Sequence, residues 1–148
     1  MGDYPEALLQ AEALGFDQLL TTLGESDLKL LADTARYAGN ASRAVQSLTA
    51  LRKRFFTSTQ GRLASFLLGR VSAESGNPKQ AARWFAVYLQ ESPSGSMAAE
   101  ARGRLMQAHA QAGDRDSARR AARAYLKLHA EGPYAAAARG LLEGGRLK

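Results

Sequence analysis

A single interval of 37 residues runs through this chain. Gly39, Gly76 and Gly113 are spaced by it. So are Ala44, Ala81 and Ala118, the leucines at 31, 68, 105 and 142, and the alanines at 64, 101 and 138. Tyr88 and Tyr125 follow, with Leu51 one interval earlier. Several residue types sharing one register mark a repeat array, and that constrains the fold more than any local motif. One unit of such an array cannot cover its own apolar stripe. Stacked neighbours must share a core.

Each interval reads as two helices. The first half carries apolar residues at helical spacing, as in "DLKLLADTARYAG" and "ASFLLGRVSAESG". It stops at the repeated glycine, which suits a left-handed C-terminal cap. Asn40, Asn77 or Asp114 follows at once and is placed to cap a second helix. Pro78 then falls at a first helical position, where its missing N–H costs nothing. The second half is "AVQSLTALRKRF", "AARWFAVYLQ" or "SARRAARAYLKLH", and a polar link closes the unit. The small alanines at 44, 81 and 118 would let paired helices approach. Phe85, Tyr88 and Tyr125 would fill the space between pairs, and Trp84 is expected in the core.

The register divides the chain, as a single domain 1–148, into a partial repeat and connector (1–24), three repeats (25–61, 62–98 and 99–135) and a terminal helix with its tail (136–148). Ser26 is expected to cap the first helix of the first full repeat. One interval before Gly39 lies Gly2, so Asp3 takes the cap position and Ala7 the helix-contact position. "GDYPEALLQAEAL" is thus a second helix without its first, followed by the short amphipathic "GFDQLLTTL". Met1 is accordingly expected to be a boundary within a longer protein. At the other end "YAAAARGLLEGG" is a first helix without its second, expected to stop at Gly144-Gly145.

The sequence holds no cysteine, which removes disulfides, thiolate metal sites and cysteine nucleophiles. No apolar run is long enough to span a membrane, and no signal-peptide pattern opens the chain. The net charge of +6 is unevenly spread. Residues 1–50 carry three Lys/Arg against seven Asp/Glu, residues 51–100 seven against three, and residues 101–148 ten against four. Such polarity bears on partners more than on fold.

Catalytic signatures are missing. His109 and His129 lack metal-ligand spacing. Asp27 and Asp33 read as cap and surface groups rather than a catalytic carboxylate pair. No phosphate loop or nucleophile elbow occurs. No enzyme activity, cofactor or metal is expected.

The pattern resembles the tetratricopeptide repeat, a helix–turn–helix unit of about 34 residues. Residues 62–98 match best, with Leu68-Gly69, Gly76-Asn77, Ala81, Phe85 and Pro93 at the family's positions. In residues 99–135 Leu105, Gly113-Asp114, Ala118 and Tyr125 match, while Met106 and Ala130 depart from it. In residues 25–61 Leu31-Ala32, Gly39, Ala44 and Leu48 match, with Phe56 in place of the terminal proline. The family's tryptophan position is not kept. His109 falls where the family packs an aromatic residue, so a half-buried histidine is expected.

This resemblance implies an all-α, right-handed helix–turn–helix repeat solenoid that binds a protein or peptide. The extra residues of each unit lie in the inter-repeat link. That elongated form is similar to repeats of bacterial envelope proteins: Tol–Pal-associated and outer-membrane-assembly lipoproteins, and repeat tails of sigma-factor regulators. It implies a C-terminal module of a larger envelope or signalling protein, on the periplasmic side rather than in the cytoplasm.

Family geometry also implies a concave groove lined by first helices. Its positions fall on Lys29, Asp33, Arg36 and Tyr37, then Leu63, Phe66, Arg70 and Glu74, then Gln107 and Gln111. Tyr37 and Phe66 would be aromatic anchors, beside Arg36 and Arg70. Asp33, Arg70 and Gln107 depart from the clamp that chaperone-binding members use on a C-terminal carboxylate, so that ligand is not expected.

A second surface is legible without the resemblance. Arg115, Arg119, Arg123 and Lys127 are four apart, with Arg120 alongside. Like charges at this spacing weaken a helix by about 0.2–0.5 kcal/mol per pair. Equivalent places one repeat earlier are Pro78, Ala82, Ala86 and Gln90, so the stripe is no requirement of the repeat. It could meet nucleic acid or another polyanion, a less favoured partner because no aromatic interleaves with the arginines. Self-association through open repeat ends, or a spacer role, is the third reading.

Overall fold

The computed structural model describes residues 2–144. Among them every regular element is helical: α1 (Tyr4–Ala13), α2 (Phe16–Thr22), α3 (Glu25–Tyr37), α4 (Ala41–Arg54), α5 (Thr59–Glu74), α6 (Pro78–Glu91), α7 (Ala98–Gln111), α8 (Arg115–Leu128) and α9 (Ala135–Glu143). The chain is an all-α helical repeat. It forms two compact units, Met1–Val71 and Ser72–Lys148, and the division falls in the last turn of α5. Met1 and Gly145, on which two sequence expectations rest, lie outside the described residues.

The predicted turns are present. Gly39, Gly76 and Gly113 have φ of 80°, 76° and 80°, a region that only glycine enters without strain. Each next residue caps the second helix. Asn40 accepts from the Arg43 amide, Asn77 from Gln80 and Asp114 from Ser117. Asp3 does the same for Glu6 at the start of α1. The Ser117 bonds also hold the Asp114 carboxyl below its ordinary value. Ser26 does not cap α3. The cap residue is Gly24, whose extended backbone leads into Glu25 without a side-chain bond, and Ser26 lies within the first turn.

In the first unit α3 pairs with α4, while α1 lies on α3 and α2 on α4. The buried set there includes Phe16, Leu28, Ala32, Ala35, Ala44, Leu48 and Leu51. Arg43 ties three helices together. Its guanidinium forks onto both Glu12 oxygens at 2.7 and 2.8 Å, reaches Asp17 at 3.1 Å and lies 4.1 Å over the Phe16 ring. In the second unit α6, α7, α8 and α9 pack in succession. Its core holds Ala81, Phe85, Tyr88, Met106, Ala118, Ala122 and Tyr125. Trp84 is only half-buried, because it lies one position round the helix from the inward Phe85.

The elongated links have a fastener of their own. The Tyr88 hydroxyl accepts from the Met97 amide, and the Tyr125 hydroxyl accepts from the Tyr134 amide, both at 3.1 Å. Met97 and Tyr134 are the cap residues of α7 and α9. A buried tyrosine on α6 and on α8 therefore fixes the start of the next first helix, while α4 carries Leu51 at that position. Gly95 and Gly132 make room, since a Cβ there would lie 2.4 and 2.2 Å from the two hydroxyls.

Candidate functional site

On α3 the apolar residues Leu28, Leu31, Ala32 and Ala35 are buried. Lys29, Asp33, Arg36 and Tyr37 recur at the same helical spacing on another face. Lys29 pairs with Asp33 one turn on. Arg36 lies 5.0 Å over the Tyr37 ring, and Tyr37 is 57% exposed. The Tyr4 ring of α1 approaches Tyr37 at 5.1 Å, tilted by 34°. The result is an accessible cluster of two aromatics and a cation, continued by an ion pair. Tyr37 is exposed, with Arg36 and Tyr4 half-buried beside it, and aromatic and arginine groups carry much of the energy at protein interfaces. Tyr4 was not foreseen as part of it, because only the fold brings α1 against α3.

Leu63 and Arg70 are half-buried on α5. Phe66, expected as a groove anchor, is 1% exposed and cannot offer its ring to a partner. The cause is the helix itself. From Ala64 through Gly69 every residue of α5 is buried, so it has no solvent stripe there.

In the second unit Glu74, Gln107 and Gln111 are exposed. They line one cleft of about 210 Å³ together with Arg104 and Phe85. Arg104 is held from behind by Glu100 at 2.8 Å, and Glu100 also accepts from the Tyr134 hydroxyl at 2.7 Å. Burial and that carboxylate push the Tyr134 hydroxyl up to about 12. His109 is half-buried. Burial lowers its pKa, Asp114 opposes that and Arg120 adds to it.

The basic stripe on α8 is not uniform. Arg115, Arg120, Arg123 and Lys127 are exposed, but Arg119 is half-buried. Arg119 and Arg115 line a cleft of about 380 Å³ with Gly140 and Leu141 of α9. Arg120 donates to Ser117 at 3.0 Å. Among the described residues no group of His, Cys, Asp or Glu is arranged to hold a metal ion. No helix among them is long and apolar enough to cross a membrane.

Residues 29–96 match the family model for the tetratricopeptide repeat. Over that stretch the chain is similar to the tetratricopeptide repeat. The matched stretch runs from Lys29 within α3 through α6 and includes the turns at Gly39 and Gly76. No curated protein matches the chain. Tetratricopeptide repeats generally mediate protein–protein interaction and are typically non-catalytic scaffolds.

Proposed function

We propose that this chain is a non-catalytic protein-interaction module whose primary contact is the α3 cluster of Arg36, Tyr37 and Tyr4. The observation that carries this reading is an aromatic ring 57% exposed that has both a guanidinium and a second ring within about 5 Å of its centre. Lys29 and Asp33 extend the surface along α3, and Leu63 and Arg70 add to it on α5. Glu74, Gln107 and Gln111 form a second contact surface in the other unit. The ligand is a peptide or helix that places an apolar or aromatic side chain on Tyr37 and an acceptor on Arg36. The elongated links, similar to those of envelope repeat proteins, support a role in a larger envelope or signalling assembly.

Selection from a displayed peptide library tests the reading. Peptides that bind the chain should lose at least tenfold in affinity on Tyr37→Ala or Arg36→Glu, since truncating a central contact costs roughly 1–2 kcal/mol or more. Binding unchanged by both substitutions would falsify the assignment.

A further inference from the structure

Phe56, in the link between α4 and α5, is 50% exposed. The equivalent places in the two later links are Pro93 and Ala130, both exposed. The repeat thus leaves this position in solvent and does not call for a large apolar group there. The link also keeps the ring from retreating. The Phe55 carbonyl accepts from the Ser58 amide at 3.0 Å and from the Ser58 hydroxyl at 2.8 Å. That hydroxyl accepts in turn from the Gly61 amide at 3.0 Å. Gly61 packs so closely that a Cβ on it would overlap the Phe55 oxygen. The backbone on both sides of Phe56 is held.

Cations gather at this link. The Arg52 guanidinium lies 5.1 Å from the Phe56 ring centre, and that of Arg54 lies 5.0 Å from the Phe55 ring centre. Lys53 and Arg62 are exposed and have no partner among the described residues. From residue 34 through 73 the sequence holds seven Lys/Arg and no Asp or Glu. Basic residues in the last turn of α4 suit the negative end of its dipole. That accounts for Arg52, Lys53 and Arg54, but not for Arg62 or for an exposed phenylalanine.

We propose that the link between α4 and α5 docks on an anionic lipid surface, with Phe56 entering the interface and the cations of the link meeting the headgroups. Apolar insertion and a basic cluster add to each other at such a surface, and either alone binds weakly. Two observations favour lipid over a nucleic-acid strand. A strand calls for successive stacking platforms, whereas Phe55 is half-buried with Arg54 over it. Arg54 and Arg52 also commit donors within the fold, to the Leu20 carbonyl at 2.9 Å and to the Ser65 hydroxyl. Held in this way they supply charge rather than forked hydrogen bonds to one phosphate, which suits a diffuse surface potential.

Co-sedimentation of the 148-residue chain with vesicles tests this. Vesicles of equal parts phosphatidylcholine and phosphatidylglycerol should bind the chain, less so at high salt, and pure phosphatidylcholine should not. Phe56→Ser should lose at least about tenfold in partitioning. Phe56→Trp keeps an interfacial aromatic and should bind as the parent does. Lys53→Glu with Arg62→Glu should lose at least about tenfold, since each cation near the surface contributes roughly fivefold. Arg123→Glu with Lys127→Glu on α8 changes the net charge equally and should lose less. All five positions are exposed, so circular dichroism should show helicity unchanged. Equal binding to both kinds of vesicle, Phe56→Ser at the parent's affinity, Phe56→Trp no better than Phe56→Ser, or equal losses from the two charge reversals overturns the proposal. So does binding of a single-stranded oligonucleotide without binding of vesicles. Peptide binding at Tyr37 is measured without lipid, so the two readings fail separately.

Discussion

The Tyr125 hydroxyl accepts a hydrogen bond from the Tyr134 backbone amide at 3.1 Å, and Tyr88 repeats this contact with Met97 one register earlier. The bond lets a link that is longer than the usual repeat end at a fixed place. Tyr88→Phe and Tyr125→Phe keep the buried ring and remove the hydroxyl that accepts from the amide. Each should cost about 1–2 kcal/mol through the amide left unpaired. Thermal unfolding measures the loss, and the amides of Met97 and Tyr134 should exchange faster.

Two helical glycines should respond in opposite directions. A Cβ on Gly103 would lie 2.2 Å from the Tyr134 ring. Gly103→Ala should therefore destabilise the protein by roughly 1–3 kcal/mol, although alanine is the better helix former. Gly140 faces open space, so Gly140→Ala should stabilise by up to about 1 kcal/mol. Chemical denaturation of the two variants in parallel gives the comparison.

The buried phenylalanine and the exposed tyrosine separate stability from binding. Phe66→Ala should lose roughly 3–5 kcal/mol by opening a cavity. Tyr37→Ala should stay within about 0.5 kcal/mol of the parent, as surface substitutions usually do. Urea unfolding of both variants distinguishes a core position from a contact position.

Acid should weaken the fold through His109. Its folded pKa lies below the ordinary 6.5 because burial disfavours the imidazolium. The unfolded chain then binds the proton more readily than the native one, so stability is fully present above about 6.5 and falls as pH drops toward the folded pKa. His109→Gln should flatten this part of the stability–pH curve, as followed by unfolding at a series of pH values.

Much of the helix plan was legible because it rests on local chemistry. The Gly39, Gly76 and Gly113 turns, the Asn and Asp caps and the start of α6 at Pro78 all follow from residue type and interval. The burial of Phe66 was not legible. Helical spacing places it on a face, but only packing reveals that α5 has no solvent side between Ala64 and Gly69. Tyr4 joined Tyr37 for a similar reason, since the contact belongs to the approach of α1 to α3. The Arg43 fork on Glu12 spans 31 residues, and no local pattern marks such a pair. Tyr88 and Tyr125 were visible as large core residues, but their hydroxyl bonds depend on how the links return.

The central claim is that partners meet this chain on α3. Amide hydrogen exchange with and without a selected peptide measures that directly. The account predicts slowed exchange over α3 around Lys29–Tyr37 and over the start of α1 near Tyr4, with α8 unchanged. Protection confined to residues 115–127, or none on α3, would contradict it.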